Sequence, residues 1–165
     1  MRPIFLLLLT IPMFLGCDSD NDSIPPPLAA NTFTAQKNDD AWTGTIDLQL
    51  TANDTLTFLA IGEGLDNGIL MVKMKFDGEG DYTLKKEKAL YYDTLGGDVI
   101  VDEYTLREPE KATFSIDSYN EANGTVTGTF AIELFPEAQG GKSIEYFLRI
   151  TEGRFRGTIV RNMAP

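Results

Sequence analysis

The chain has 165 residues with 14 Lys and Arg against 25 Asp and Glu, a net charge of −11, and it contains one cysteine and no histidine. An acidic chain without a basic stripe is not built for nucleic acid, where phosphate contacts dominate affinity. Lacking histidine, it has no Ser-His-Asp or Cys-His nucleophile system and no imidazole zinc site, so any chemistry would run on carboxylates, Lys, Arg, Tyr, Ser or Thr.

Met1-Arg2 is a short positive n-region, and Ile4 to Leu15 is an apolar run of about a dozen residues, too short to span a bilayer of roughly 30 Å as a helix. Pro12 and the missing polar face argue against an N-terminal core helix. Phe14-Leu15-Gly16-Cys17 resembles a bacterial lipobox, with the small Gly16 directly before the cysteine and Phe14 where leucine is more usual. Residues 1–16 are therefore expected to be a cleaved signal peptide, and Cys17 the acylated N-terminus of the mature protein.

Residues 17–30 are expected to be a tether. Asp18, Asp20 and Asp22 alternate with Ser19 and Asn21. An EF-hand loop would want Gly where Ser23 stands and Glu where Ala29 stands, so calcium is not expected. The acidic run resembles instead the surface-export signal of Bacteroidota lipoproteins, which implies outward display on the outer membrane. Pro25-Pro26-Pro27 favours an extended segment of about 3.1 Å per residue, which limits the reach from Asp18 to Ala30 to roughly 40 Å. Asp22-Ser23-Ile24 resembles a Bacteroidota O-glycosylation acceptor, and that resemblance marks Ser23. Asp54-Thr55-Leu56 and Asp93-Thr94-Leu95 share the pattern.

From residue 31 to 165 the pattern is that of one antiparallel β domain, and about 130 residues suffice for a core without disulfides or metal. Trp42, Ile46, Leu48 and Leu50 share a face at period 2, with Thr43, Thr45, Asp47 and Gln49 opposite. Thr55 to Ile61 is apolar on both faces and predicts a central strand or one covered on both sides. Asp66-Asn67-Gly68 turns the chain into Ile69 to Phe76, where Leu70, Val72, Met74 and Phe76 face inward. Asp77 to Gly80 turns it again. Asn123-Gly124 marks a hairpin whose two turn residues tolerate positive φ. It is followed by the inward row Val126, Gly128, Phe130, Ile132 and Leu134. Ile144 to Ile150 and Gly153 to Val160 are expected as a last pair of strands. No helical periodicity of useful length appears; Lys85 to Leu90 is the one candidate, and it is only a turn or two. The expected fold is all-β: an antiparallel β-sandwich or a flattened, lipocalin-like barrel of about 8–10 strands.

Several segments in order resemble a family of small Bacteroidota outer-membrane lipoproteins of unknown function. They are Asn31 to Gln36 with Ala41-Trp42-Thr43, Gly80-Asp81-Tyr82-Thr83-Leu84, Phe114-Ser115-Ile116 with Gly124 to Phe130, and Ile150 to Phe155. The resemblance implies an all-β lipoprotein domain and brings no catalytic residues with it.

The least strand-like part of the body is Lys86 to Asp98, where Tyr91, Tyr92 and Asp93 could stack on and hydrogen-bond a sugar. A carboxylate pair for glycoside hydrolysis would have to come from Asp77, Glu79, Asp81, Asp102, Glu103, Glu108 or Glu110. Acidic residues are so plentiful that no pair stands out, and no enzymatic activity is expected. Arg107, Arg149, Arg154 and Arg156 read as strand-face cations pairing with carboxylates. No cofactor, metal or nucleic acid is expected, and the chain reads as a monomer attached to the membrane through its lipid. The function expected is a non-catalytic binding module for a glycan, lipid or protein. The alternative is a structural or interaction subunit of an envelope complex without a small-molecule site.

Overall fold

The computed structural model describes residues 26–64, 67–137 and 146–162; Cys17, Asp18, Asp20, Asp22 and Ser23 lie outside them. Ten strands follow one another: β1 Thr32–Lys37, β2 Asp40–Thr51, β3 Thr55–Gly62, β4 Ile69–Lys75, β5 Gly80–Asp81, β6 Ala89–Leu95, β7 Val99–Thr105, β8 Ala112–Asn120, β9 Thr125–Pro136 and β10 Leu148–Asn162. A single 3-10 turn, Pro109–Lys111, precedes β8.

The sheet closes on itself. Antiparallel pairing runs from β2 through β3, β4, β6, β7 and β9 to β10, and β10 returns to β2 in parallel at Ile159–Asn162 and Leu48–Thr51. β1 wedges between β10 and β2, antiparallel to both. β8 lies on the same side of β9 as β7, below it, and carries the two-residue β5. The ring makes this a barrel, and closure removes most of the free edges that a sandwich must protect.

Alternation decides which side chains fill it. Trp42, Leu48 and Leu50 on β2, Leu70 and Val72 on β4, and Val126, Phe130, Ile132 and Leu134 on β9 are all buried. Phe58 sits at the centre with its ring 5.3 Å from Phe114, 5.4 Å from Phe130 and 5.1 Å from Phe155, each edge to face. Trp42 packs 4.5 Å from Phe33 and 5.8 Å from Tyr91. Each fully buried aromatic of this kind stabilises by about 1.5–3 kcal/mol through area alone, and the edge-to-face pairs add about 0.5–1.5 kcal/mol each.

The two Gly-x-Phe motifs interlock. Gly128 is paired with Phe155 and Gly153 with Phe130 across β9 and β10, so each phenyl ring lies over the opposite glycine. A Cβ at Gly128 would stand 2.5 Å from the Phe155 ring, and one at Gly153 would stand 2.6 Å from that of Phe130. What reads in sequence as repeated hairpin grammar is a reciprocal ring-over-backbone fit.

Two open readings are resolved and two expectations are corrected. β3 is central, paired with β2 on one side and β4 on the other, but its outer face is not covered: Leu59 is half-buried and Ile61 is 39 % exposed, because no second layer packs outside the barrel among the described residues. The last two predicted strands are one, β10, kinked by a bulge between Ile150 and Gly153 where Glu152 takes a φ of 54°. The Asn123-Gly124 turn uses positive φ at Gly124 alone; the Asn123 side chain accepts instead from the Thr125 N–H at 2.9 Å. Lys85 to Leu90 is no helix, since Ala89 and Leu90 already belong to β6.

Candidate functional site

The barrel has a seam. β4 is paired with β3 over its whole length, but with β6 only from Ile69 to Val72, extended by the Lys73 N–H donating to Lys88 O at 2.8 Å. Beyond that point the chain leaves β4, crosses to β8 at Gly80 and Asp81, and returns through residues 82–88 to β6. Leu84, buried, pins the returning segment to the core, and Tyr82 leans on the Phe114 ring at 6.5 Å. A cleft of about 560 Å³ opens between the free edge of β4 and this segment. Met74 and Tyr82 line its apolar part, and Lys73, Lys75, Lys85 and Lys88 stand around it with Asp77, Glu79 and Asp81.

The anions of this site are mostly committed and the cations mostly are not. Glu79 accepts from the Tyr119 N–H at 2.8 Å, and Asp81 accepts from the Ser115 hydroxyl at 2.5 Å, so both carboxylates are held toward β8. Lys75 donates to the Asp54 carboxylate at 3.0 Å and to Asn53 O at 2.9 Å. Lys73, Lys85 and Lys88 have no carboxylate within ion-pair distance among the described residues. The Tyr82 hydroxyl donates to Gly78 O at 2.5 Å and accepts from the Asp77 N–H at 3.1 Å. Burial raises its pKa above the ordinary phenol value, which the Asp77 hydrogen bond partly offsets and the nearby Asp77 charge reinforces.

The tyrosine group expected from sequence divides. Tyr91 is buried, its ring between Trp42 and Tyr104, with the Lys37 ammonium donating to its hydroxyl at 2.9 Å. It is a core residue and cannot meet a ligand, because an odd position of β6 faces the barrel interior. Tyr92 takes the opposite face and Asp93 follows at the base of the β6–β7 hairpin, past the end of the β4 ladder; both are half-buried. Of the carboxylates considered for paired chemistry, Asp77, Glu79 and Asp81 come together at the cleft. Asp102 and Glu103 lie on the hairpin, Glu108 directly precedes the 3-10 turn and Glu110 lies within it. Among the described residues no group of three or more acidic side chains is arranged to hold a metal ion. Arg149 lies 3.8 Å from Glu133, Arg107 donates to Pro136 O at 2.5 Å, and Arg156 donates to Leu28 O at 3.3 Å.

The lysines are the residues that sequence reading passed over. Lys73 and Lys75 read as the outward face of a strand, yet five of the chain's eight lysines fall between 73 and 88. That clustering in an acidic protein is the signal that would have found them. No protein-family description, curated protein or solved structure matches the chain.

Proposed function

We propose that the chain is a non-catalytic binding module, displayed from a lipid anchor at Cys17 on the outer membrane and facing the cell exterior, whose ligand lodges in the seam cleft. One observation carries the choice of site: the ammonium groups of Lys73, Lys85 and Lys88 surround an apolar floor without carboxylate partners. Uncommitted cations beside a concave apolar surface fit an anionic ligand of sugar size, such as a glycan segment bearing carboxylates or sulfates. The anchor rests on the lipobox-like Phe14-Leu15-Gly16-Cys17 and the acidic residues after it, and on the ordered resemblance to small Bacteroidota lipoproteins. The reading is tested by amide NMR titration with oligogalacturonate and, separately, with neutral galacto-oligosaccharide. Shifts confined to Lys73, Met74, Tyr82 and Lys85 with the acidic sugar are expected, weakened about tenfold or more by K85E/K88E. Equal response to both sugars, or shifts centred elsewhere, would overturn it.

A second reading is supported by the filled interior. Phe58, Phe114, Phe130 and Phe155 occupy the centre of the barrel and leave no lipocalin-like chamber among them. A structural or interaction subunit of an envelope complex would need none. Failure of every sugar to bind, together with recovery of one protein in stoichiometric amount on cross-linking in intact cells, would favour this reading.

A further inference from the structure

The β6–β7 hairpin outgrows the barrel. β4 reaches β6 only as far as Tyr92, and β9 reaches β7 only at Tyr104 and Thr105. The Glu137 N–H donates to Glu103 O at 2.8 Å and closes the base on the β9 side. Residues 93–103 therefore form a two-stranded ribbon past the barrel ladders, held on its β6 side by the Thr94 hydroxyl donating to Asn67 O at 2.8 Å, and the outer edge of β7 from Val99 to Asp102 pairs with no strand among the described residues. Four of the eight exposed large hydrophobic side chains among the described residues lie on this ribbon: Leu95 is 69 % exposed, Val99 53 %, Ile100 59 % and Val101 48 %. An open edge of β-branched residues is a template for another strand, which proteins normally blunt with lysine, proline or a cover. This edge has neither Lys nor Pro.

Charge says what fits it. No lysine or arginine occurs between Lys88 and Arg107, whereas Asp93, Asp98, Asp102 and Glu103 all lie on the hairpin. The phenols beneath feel these carboxylates. Burial raises the pKa of Tyr92 with help from the Glu103 charge, and burial raises that of Tyr104 with help from Asp102 and Asp93. A second copy of the chain fits poorly. Antiparallel pairing of two β7 edges about Ile100 would set Asp98 of each opposite Asp102 of the other, and like charges directly opposite are destabilising. A lipid surface cannot satisfy the free backbone donors and acceptors of the edge, and an anionic one would repel the carboxylates.

We propose that Val99–Asp102 is an open strand edge that receives an extended, lysine- or arginine-bearing segment of a partner protein. Main-chain hydrogen bonds to β7 supply the affinity, the apolar side chains give the contact area, and Asp98 and Asp102 choose a cationic strand over others. This surface stands apart from the seam cleft and does not depend on what binds there.

The probe is a synthetic peptide of alternating valine and lysine, titrated into the full chain purified in detergent and followed by amide NMR. Three controls accompany it: the valine–glutamate counterpart, and two valine–lysine peptides N-methylated on one or the other set of alternate residues. Shifts at Val99 to Asp102 with the lysine peptide are expected, abolished by one of the two N-methylation patterns and absent with the glutamate peptide. Affinity should fall about tenfold in D98N/D102N, whose exposed substitutions leave the fold intact. Equal binding of both N-methylated peptides would exclude strand addition. Binding of the glutamate peptide would exclude the charge selection. Dimerisation through the hairpin without peptide binding would assign the edge to a second copy, and hairpin-dependent binding to phosphatidylcholine vesicles would assign it to lipid. Each of these outcomes overturns the proposal.

Discussion

Adding one methyl group at Gly128 tests the ring-over-glycine fit directly. In G128A the new carbon would lie 2.2 Å from Ser115 O and 2.5 and 2.6 Å from two ring carbons of Phe155. Ordinary contact requires a further ångström or more on both sides. The Ser115 oxygen belongs to the backbone of β8, so relief means parting β8 from β9. Overpacking costs about 1–3 kcal/mol, and a ladder hydrogen bond given up adds about 1 kcal/mol, so a loss of about 3 kcal/mol is expected. With a urea m-value of about 1.5 kcal/mol/M, the unfolding midpoint should fall by about 2 M. Two other glycines set the scale. At Gly78 a Cβ meets nothing within 4 Å, so G78A carries only the strain of its φ of 86°, about 1 kcal/mol. At Gly157 the methyl meets the side-chain ends of Ile46 at 2.6 Å and Leu48 at 2.8 Å, so G157A should be partly rescued by I46V, which removes the nearest carbon. Urea denaturation followed by tryptophan fluorescence reads all of these through Trp42. A G128A loss no larger than that of G78A would refute the steric reasoning.

Three further outcomes are expected. Thr105 is buried and its hydroxyl has no hydrogen-bond partner among the described residues, so T105V should raise stability by about 1 kcal/mol in the same urea assay; a loss would mean that the hydroxyl has a partner, such as a buried water. Tyr82, Tyr92 and Tyr104 hold their protons more tightly folded than unfolded, so their contribution is complete below the ordinary phenol pKa of about 10 and is lost as pH rises through the higher folded values. Absorbance titration should then show these three tyrosines ionising above the free phenol, with unfolding free energy falling over the same range; ionisation of all three near pH 10 would contradict it. C17S should abolish incorporation of labelled fatty acid and release the protein from membranes, and continued membrane association would defeat the anchor at Cys17.

The strands were legible in the sequence because a barrel wall with one dry face writes its own alternation. Val126, Gly128, Phe130, Ile132 and Leu134 could be placed inward from spacing alone, and all five are buried. The candidate site was less legible. Tyr91, Tyr92 and Asp93 were marked for their side-chain types, but strand parity puts Tyr91 in the core and Tyr92 on the other face, while Asp93 lies past the end of the β4 ladder. Lys73, Lys85 and Lys88 are ordinary surface lysines until the early end of the β4–β6 ladder brings two separate stretches around one cleft. The exposure of Val99, Ile100 and Val101 follows from where β4 and β9 stop, which those residues do not encode.

The sequence by itself determined the all-β class, the inward rows, the turns and the chemistry this chain lacks, because each depends on a residue and its near neighbours along the chain. Closure of the sheet into a ring, the bulge that joins the last two predicted strands into one, the reciprocal fit of Phe130 and Phe155 over Gly153 and Gly128, the lysine-lined seam and the open edge of β7 were decided only in the tertiary structure. Each of these depends on which strand lies beside which and where their pairing stops. Period-2 alternation carries no record of either: it says which face a residue takes and leaves open whose face it meets.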